Sequence, residues 1–315
     1  MSIRVAFQMD HVGGVDIHAD STFRIAVEAQ RRAYPLFHYL PADIHYDQGK
    51  VCAHANPLTV KLDPEDHYRL GEEATINLAD MDVVWLRQDP PFDMAYITTT
   101  HLLDLVKEDT LVVNDPFWVR NCPEKLLVLH FPGLIPPTMI ARSRVSLKEF
   151  RARHGDIVVK PLYGNGGAGV FLLREQDPNF NSLCEVFLDN SREPLIAQKF
   201  LPGVSEGDKR IILVDGEAVG AINRIPPPGE ARSNLHVGGR AEPCGLTERD
   251  REICESVGPF LRQHGQVFAG IDVIGGWLTE INITSPTGIV ELERFDGTNA
   301  AGLIWDAIER RLASR

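Results

Sequence analysis

Apolar residues recur along this chain with two periods, one of two residues and one of three to four. The run Ile3 to Met9 reads as a buried strand, and Asp10 to Asp20, with Gly13-Gly14, as a loop at its carboxyl end. Asp20 or Ser21 can cap a helix reaching Arg32, in which Phe23, Ala26, Val27 and Gln30 fall at helical steps. A short strand near 36–39 precedes a Pro/Asp/Gly-rich stretch, and strands over 81–86 and 110–114 then flank a helix over 93–107. Strands alternating with helices predict a parallel α/β layer.

Near Asn114-Asp115-Pro116 the texture changes: two short helical pieces, 116–122 and 123–131, lead to Pro132-Gly133 and Pro136-Pro137, which puts a domain boundary near residue 122. Strands over 135–141, 156–161, 170–174 and 195–200 then alternate with helices over 146–154 and 183–189. Hairpins follow. Strands 208–214 and 217–225 flank Asp215-Gly216, a tight-turn pair, and strands 267–274 and 277–283 form a second hairpin after a helix over 247–264. Residues 226–241, rich in Pro and Gly without apolar period, read as a mobile loop, and 300–312 as a closing helix.

Lys and Arg number 32 against 44 Asp and Glu, a formal charge of −12, and the cations are scattered, which argues against a nucleic-acid partner while allowing single phosphorylated ligands. At 43% hydrophobic and 24% charged the composition is that of a globular protein. No apolar run is long enough to span a membrane and no signal-peptide core opens the chain, so a cytoplasmic protein is expected. The five cysteines are odd in number, widely spaced and free of C-x-x-C pairs, and read as reduced thiols.

Candidate chemistry is concentrated after residue 120. Gly164-Asn165-Gly166-Gly167-Ala168-Gly169 fits the G-x-G-x-x-G pattern, but strand chemistry follows it where a dinucleotide site needs a helix. A glycine loop between two strands is either a plain hairpin or a flap whose bare N–H groups cover phosphates, and Lys160 just before it favours the flap. Gly203-Val204-Ser205-Glu206-Gly207 matches the nucleophile-elbow pattern, yet leads into a strand instead of a helix and reads as a connector. Glu280 and Asn282 are two apart on one strand and face one way; a three-residue turn at 275–277 would set Asp272 opposite Glu280, whereas a two-residue turn would split them. Brought together, the three offer hard oxygen ligands suited to magnesium; apart, they form a solvated hairpin face. Arg210, Arg224, Arg232 and Arg240 lie in or beside the long loop, either solvated or placed to hold a phosphoryl or carboxylate group.

Together, Asn121-Cys122-Pro123-Glu124-Lys125-Leu126, Ile157-Val158-Val159-Lys160-Pro161-Leu162, Gly164 to Gly169, Asp208-Lys209-Arg210, Val214-Asp215-Gly216 and Thr279-Glu280-Ile281-Asn282-Ile283-Thr284-Ser285-Pro286-Thr287 resemble the ATP-grasp ligases, and among them the bacterial glutathione synthetases. Leu86-Arg87, Gln88-Asp89-Pro90-Pro91-Phe92-Asp93, Met9-Asp10 and Asp20-Ser21-Thr22-Phe23 extend the resemblance over nearly the whole chain. It implies an N-terminal α/β substrate domain (1–122) followed by a two-lobed α+β ATP-grasp fold, with a central lobe carrying the glycine flap (123–200) and a C-terminal lobe carrying a lid loop and magnesium site (201–315).

The implied activity joins γ-glutamylcysteine to glycine with ATP through an acyl phosphate, in a cytoplasmic homotetramer using two Mg²⁺ ions or Mn²⁺; another acid or amine, or a regulator that binds nucleotide without turnover, are the alternatives. Lys125, Lys160 and the flap residues Gly164, Asn165, Gly166, Gly167 and Ala168 would contact the phosphates, Gln198, Lys199, Phe200 and Leu201 the adenine, and Asp208 the ribose. Asp272, Glu280 and Asn282 would hold the metal. Arg210, Arg224 and the lid's Arg232 would serve the reaction, and Arg87 and Ser285 the substrate. Some relatives have lysines just before the Asp-Ser pair, where this chain has His18-Ala19, and a lysine or another residue where it has Gln88, which touches substrate contacts and not the reaction.

Overall fold

The computed structural model describes residues 2–230, 232–234 and 238–315. The first third runs β1 (Val5–Gln8), α1 (Ser21–Arg31), β2 (Leu36–Tyr39), β3 (Ile44–Asp47), β4 (Lys50–Val60), β5 (Tyr68–Leu70), β6 (Ala74–Asn77), β7 (Val83–Leu86), α2 (Met94–Asp104), β8 (Leu111–Val113), α3 (Pro116–Asn121) and α4 (Glu124–Leu127). The predicted α/β layer is present, since β2, β1, β7 and β8 are parallel neighbours. The Pro/Asp/Gly-rich stretch is a correction: it holds four strands, β3 to β6, with β4 pairing antiparallel to β2, β3, β5 and β6. β4 does alternate, burying Val51, Ala53 and Ala55, but small side chains and Pro57 obscured the period in the sequence. As expected, Asp20 caps α1, accepting from the Phe23 N–H at 2.6 Å.

The central part runs β9 (Thr138–Ala141), α5 (Arg144–His154), β10 (Ile157–Pro161), β11 (Phe171–Leu173), α6 (Phe180–Asn190) and β12 (Leu195–Lys199), with an antiparallel sheet in the order β11-β10-β12-β9. Its core is its own: Leu147 and Phe150 of α5 and Phe180, Cys184 and Leu188 of α6 cover Ile157, Val159 and Ala197.

The last part runs β13 (Asp208–Val214), β14 (Glu217–Ile225), β15 (Arg240–Pro243), α7 (Glu248–Gln263), β16 (Phe268–Ile274), β17 (Trp277–Asn282), α8 (Ile289–Asp296) and α9 (Ala300–Ala313), with the sheet order β15-β14-β13-β16-β17. β15 and α8 were not read from the sequence. β15 borrows its partner from β14 and shows no apolar run, and α8 follows directly on the Ser285-to-Gly288 turn. Of the loop expected over 226–241, Ala231, Leu235, His236 and Val237 lie outside the described residues.

One face of this C-terminal sheet and α9 share a continuous apolar core with the N-terminal layer, joining Phe7, Trp85 and Val113 to Ile212, Phe268, Ile304 and Trp305. Polar bonds tie the same junction. The Trp305 indole donates to the Ile25 carbonyl at 2.9 Å, and the Asn114 amide donates to the carbonyls of Phe268 and Ile283 at 2.7 and 2.8 Å. The first and last parts therefore form one frame, against which the central part packs with a separate core. No helix among the described residues is long and apolar enough to cross a membrane.

Candidate active site

The glycine loop leaves β10 and returns as β11, its antiparallel partner, so it joins two strands as expected of a flap and not of a dinucleotide site. Gly166, Gly167 and Gly169 have φ of +59°, +80° and +69°, a region costly for side-chain-bearing residues. At Gly169 a Cβ would also meet Pro161 at 2.8 Å. Lys160, at the end of β10, and Lys125, in the first turn of α4, approach the same space from two elements. Lys125 donates to the Gly164 carbonyl, and Lys160 pairs with Glu280 at 2.9 Å. The connector 203–207 is a tight turn of helix leading into β13, with the Ser205 hydroxyl donating to the Pro202 carbonyl, and it builds no nucleophile elbow.

The β16–β17 hairpin resolves the open question of register in an unforeseen way. Its turn has two residues, Gly275-Gly276, both at positive φ, and Ile274 pairs with Trp277. That turn alone was expected to split the acidic residues. A bulge between Asp272 and Val273 absorbs Thr279, restoring Asp272 opposite Glu280 and Gly270 opposite Asn282. The Thr279 hydroxyl, donating to the Asp272 carbonyl at 3.1 Å, pins the bulge.

Charge is closely matched on this floor. Asp272 accepts from Arg210 at 2.5 and 3.1 Å, lies 3.0 Å from Arg224, and receives the Asn282 amide at 3.3 Å. Burial works against its charge, but the two guanidiniums outweigh it and hold the carboxyl well below the usual range. Burial likewise opposes the Glu280 charge, and Lys160 and Lys125 overcome it, so its carboxyl too is lowered. Asp208 lies 2.6 Å from Arg224 and accepts from Ser233 at 2.8 Å. Burial nevertheless pushes its carboxyl up to about 6, with the Asp272 charge adding and Arg224 opposing. The asymmetry is physical: Arg224 is shared, and Asp272 has Arg210 as well.

Asp272, Glu280 and Asn282 form a set of hard oxygen donors, two carboxylates and an amide, that fits magnesium sharing its remaining positions with water and phosphate. No three His, Cys, Asp or Glu side chains among the described residues gather into a cluster able to hold a metal. Three protein donors leave the remaining positions of a six-coordinate ion to other ligands.

A cavity of about 1000 Å³ lies where the three sheets meet. Its wall contains the residues given a nucleotide, metal, substrate or catalytic role above: Lys125, Lys160, Gly164 to Ala168, Gln198 to Leu201, Asp208, Arg210, Arg224, Arg232, Asp272, Glu280, Asn282, Arg87 and Ser285. Arg240, the fourth arginine considered with them, is not part of that wall: it is exposed and pairs with Glu242 at 2.5 Å. Arg232 pairs with Glu230 at 2.6 Å and reaches the Gly167 carbonyl at 3.5 Å, so loop and flap touch. Arg87, buried, donates to the Thr22 hydroxyl at 2.8 Å and the Pro286 carbonyl at 3.0 Å. Gln88 is buried against Gln8 and Thr99 and His18 is exposed, so these two stand outside the cavity, while Ala19, the other residue of the first departure, lines it. Sequence reasoning gave no role to the lining acids Asp10, Asp16, Asp89, Glu124 and Glu291. For Asp89 and Glu124 a signal existed, because each stands within two residues of a chosen cation; for Glu291, on an unforeseen helix, none did.

The chain matches the prokaryotic glutathione synthetase N-terminal domain over residues 3–120 and the prokaryotic glutathione synthetase ATP-grasp domain over residues 124–297. It is 56% identical over 311 residues to a glutathione synthetase of Brucella melitensis, covering 99% of this chain and 100% of that one. To a glutathione synthetase of Agrobacterium fabrum it is 55% identical, covering 98% and 96%. Among solved structures, D-cycloserine synthetase DcsG superposes with a TM-score of 0.69 at 15% identity, covering 98% and 99%; D-alanyl-alanine synthetase A of Vibrio cholerae gives 0.62 at 14%, covering 99% of both. At such identities these two speak for the fold alone.

Proposed function

The chain belongs to the prokaryotic glutathione synthetase family, and from that premise we infer how its cavity carries out ATP-dependent ligation of γ-glutamylcysteine to glycine. The carrying observation is the convergence of cationic, acidic and glycine-loop residues from three sheets on one cavity.

A carboxylate is a poor electrophile. The cysteinyl carboxylate attacks the γ-phosphorus, the bond to ADP breaks, and the acyl phosphate so formed is opened by the glycine amine with loss of phosphate. No enzyme nucleophile is required; positioning and charge carry the reaction. Lys125, Lys160 and the flap N–H groups hold the phosphates, Gln198 to Leu201 border the adenine, and Asp208 meets the ribose. Arg210 and Arg224 face the reacting carboxylate and phosphoryl oxygens, Arg87 and Ser285 position the dipeptide, and the loop bearing Arg232 closes as a lid. Asp272, Glu280 and Asn282 would hold magnesium, which when bound supplies positive charge to the phosphates. We divide the chain at 122 and 200 into a substrate domain and two grasping lobes.

We further propose a cytoplasmic homotetramer, on the membership of the chain in this family. Light scattering on the purified protein tests the assembly. ADP release and glutathione formation with γ-glutamylcysteine, with and without glycine and against a panel of other dipeptides, test the reaction. Equal turnover of unrelated dipeptides would overturn the substrate assignment.

A further inference from the structure

We propose that Glu124 takes the proton of the incoming amine, an assignment that rests on the ligase reading above. Glycine arrives at neutral pH as an ammonium whose electron pair is occupied, and the family reaction needs that pair free at the acyl carbon. A carboxylate beside the acyl phosphate, not spent on a cation, meets the need.

Glu124 is placed for this. It opens α4 directly before Lys125 and lines the main cavity together with Lys125, Lys160, Arg87 and Ser285. The Thr284 hydroxyl donates to its Oε1 at 2.6 Å, which fixes the carboxylate from the residue next to Ser285. Asp208, Asp272 and Glu280 are each held by an Arg or Lys, whereas Glu124 forms no ion pair within 4.0 Å among the described residues. A second cavity, of about 20 Å³, is lined by Glu124, Thr284 and Tyr96, and the buried Tyr96 hydroxyl has no hydrogen-bond partner among the described residues. That volume, lined also by Lys125, Gly164 and Asn165, is room for one water, so the carboxylate has space for a polar neighbour besides Thr284. Burial pushes the Glu124 carboxyl above its ordinary range; the Thr284 bond, Lys125 and Arg210 oppose this and Glu280 adds to it. A base drawn toward neutrality in this way is better matched to an amine than an ordinary carboxylate.

In the step, one ammonium proton passes to Glu124 and the freed nitrogen bonds the acyl carbon. The carbon–oxygen bond to phosphate then breaks with its electron pair on the phosphate, and a second nitrogen proton leaves with that phosphate as the amide forms.

The test compares two nucleophiles in Glu124→Gln, which keeps an oxygen for Thr284. Glycine needs a base, whereas hydroxylamine is already unprotonated at neutral pH and traps the acyl phosphate as a hydroxamate. We expect glycine-dependent turnover to fall about 10²- to 10⁴-fold while hydroxamate formation stays within about threefold of wild type. In Glu124→Ala, added formate should restore part of the glycine reaction and leave hydroxamate formation unchanged. Parallel loss with both nucleophiles, or glycine turnover within about threefold of wild type, overturns the assignment. Failure of the wild-type protein to make glutathione would instead strike the ligase reading itself.

Discussion

Arg224 is shared by two carboxylates of unequal standing, and the inequality predicts unequal responses to one chemical change. Asp272 takes bonds from Arg210, Arg224 and Asn282, while among the described residues Asp208 uses only Oδ2 for the Arg224 and Ser233 side chains and buries Oδ1 without a partner. Asp272→Asn leaves two buried guanidiniums, of which only Arg224 keeps an ion pair, with Asp208, among the described residues, and breaking a buried pair in this way costs about 3–5 kcal/mol. Asp208→Asn leaves Asp272 to hold both arginines and removes a charge that burial already disfavours, so its cost at pH 7 should be under about 1 kcal/mol.

The pH dependence carries the same signature. Asp208 is raised to about 6 from 3.8, so its contribution is complete below pH 4 and is lost as pH rises through 6, by up to about 3 kcal/mol. Asp272 is lowered, so its contribution is present above its unfolded value near 4 and disappears only as pH falls below that. Between about pH 4 and pH 6, the window these values define, Asp208→Asn should flatten the fall in stability expected of the wild type, while Asp272→Asn stays destabilised throughout. Urea unfolding followed by tryptophan fluorescence, without nucleotide or divalent metal, measures both. Equal losses in the two variants at pH 7 would refute the shared-arginine account.

Magnesium should bind the nucleotide-free protein no more tightly than millimolar, because two carboxylates already engaged by cations and one amide leave the ion under-coordinated; a non-hydrolysable ATP analogue should sharpen binding at least about 100-fold in calorimetry. Submicromolar binding without nucleotide would count against the donor set. Arg232→Ala should raise the ratio of phosphate released to glutathione formed above one, because the loop that meets the flap at Gly167 is then less able to keep water from the acyl phosphate. A ratio fixed near one would assign the loop to positioning alone.

Much of the site could be read before the fold because its chemistry sits on elements with strong local signals. The glycine loop and Lys160 flank a clear apolar strand, and Glu280 and Asn282 keep the two-residue period of β17. What stayed hidden depends on partners distant in the chain. β15 exists through β14, and β4 conceals its period behind alanines. The bulge at Thr279 is the instructive case: the expected pairing of Asp272 with Glu280 occurs, but through a device that no count of turn residues reveals. Glu124 was legible as a neighbour of Lys125, and its lack of an ion pair among the described residues appears only once the cations around the cavity have been placed.

The frame explains why these charges can be held ready. Lys160 belongs to the central sheet, whose core is separate, while Glu280, Asp272, Arg210 and Arg224 belong to the frame built jointly by the first and last parts. The Lys160–Glu280 contact at 2.9 Å therefore crosses between two independently packed bodies. On the reading proposed above, a polyphosphate entering the cavity competes with Glu280 for Lys160 and with Asp272 for Arg210, loosening a contact that holds the bodies together. The released carboxylates then face an anion and must find other positive charge, which is the electrostatic reason for a metal to arrive with the nucleotide and not before it. Exchange of the Lys160–Glu280 contact for the nucleotide and neutralisation of the carboxylates are, on this argument, one event.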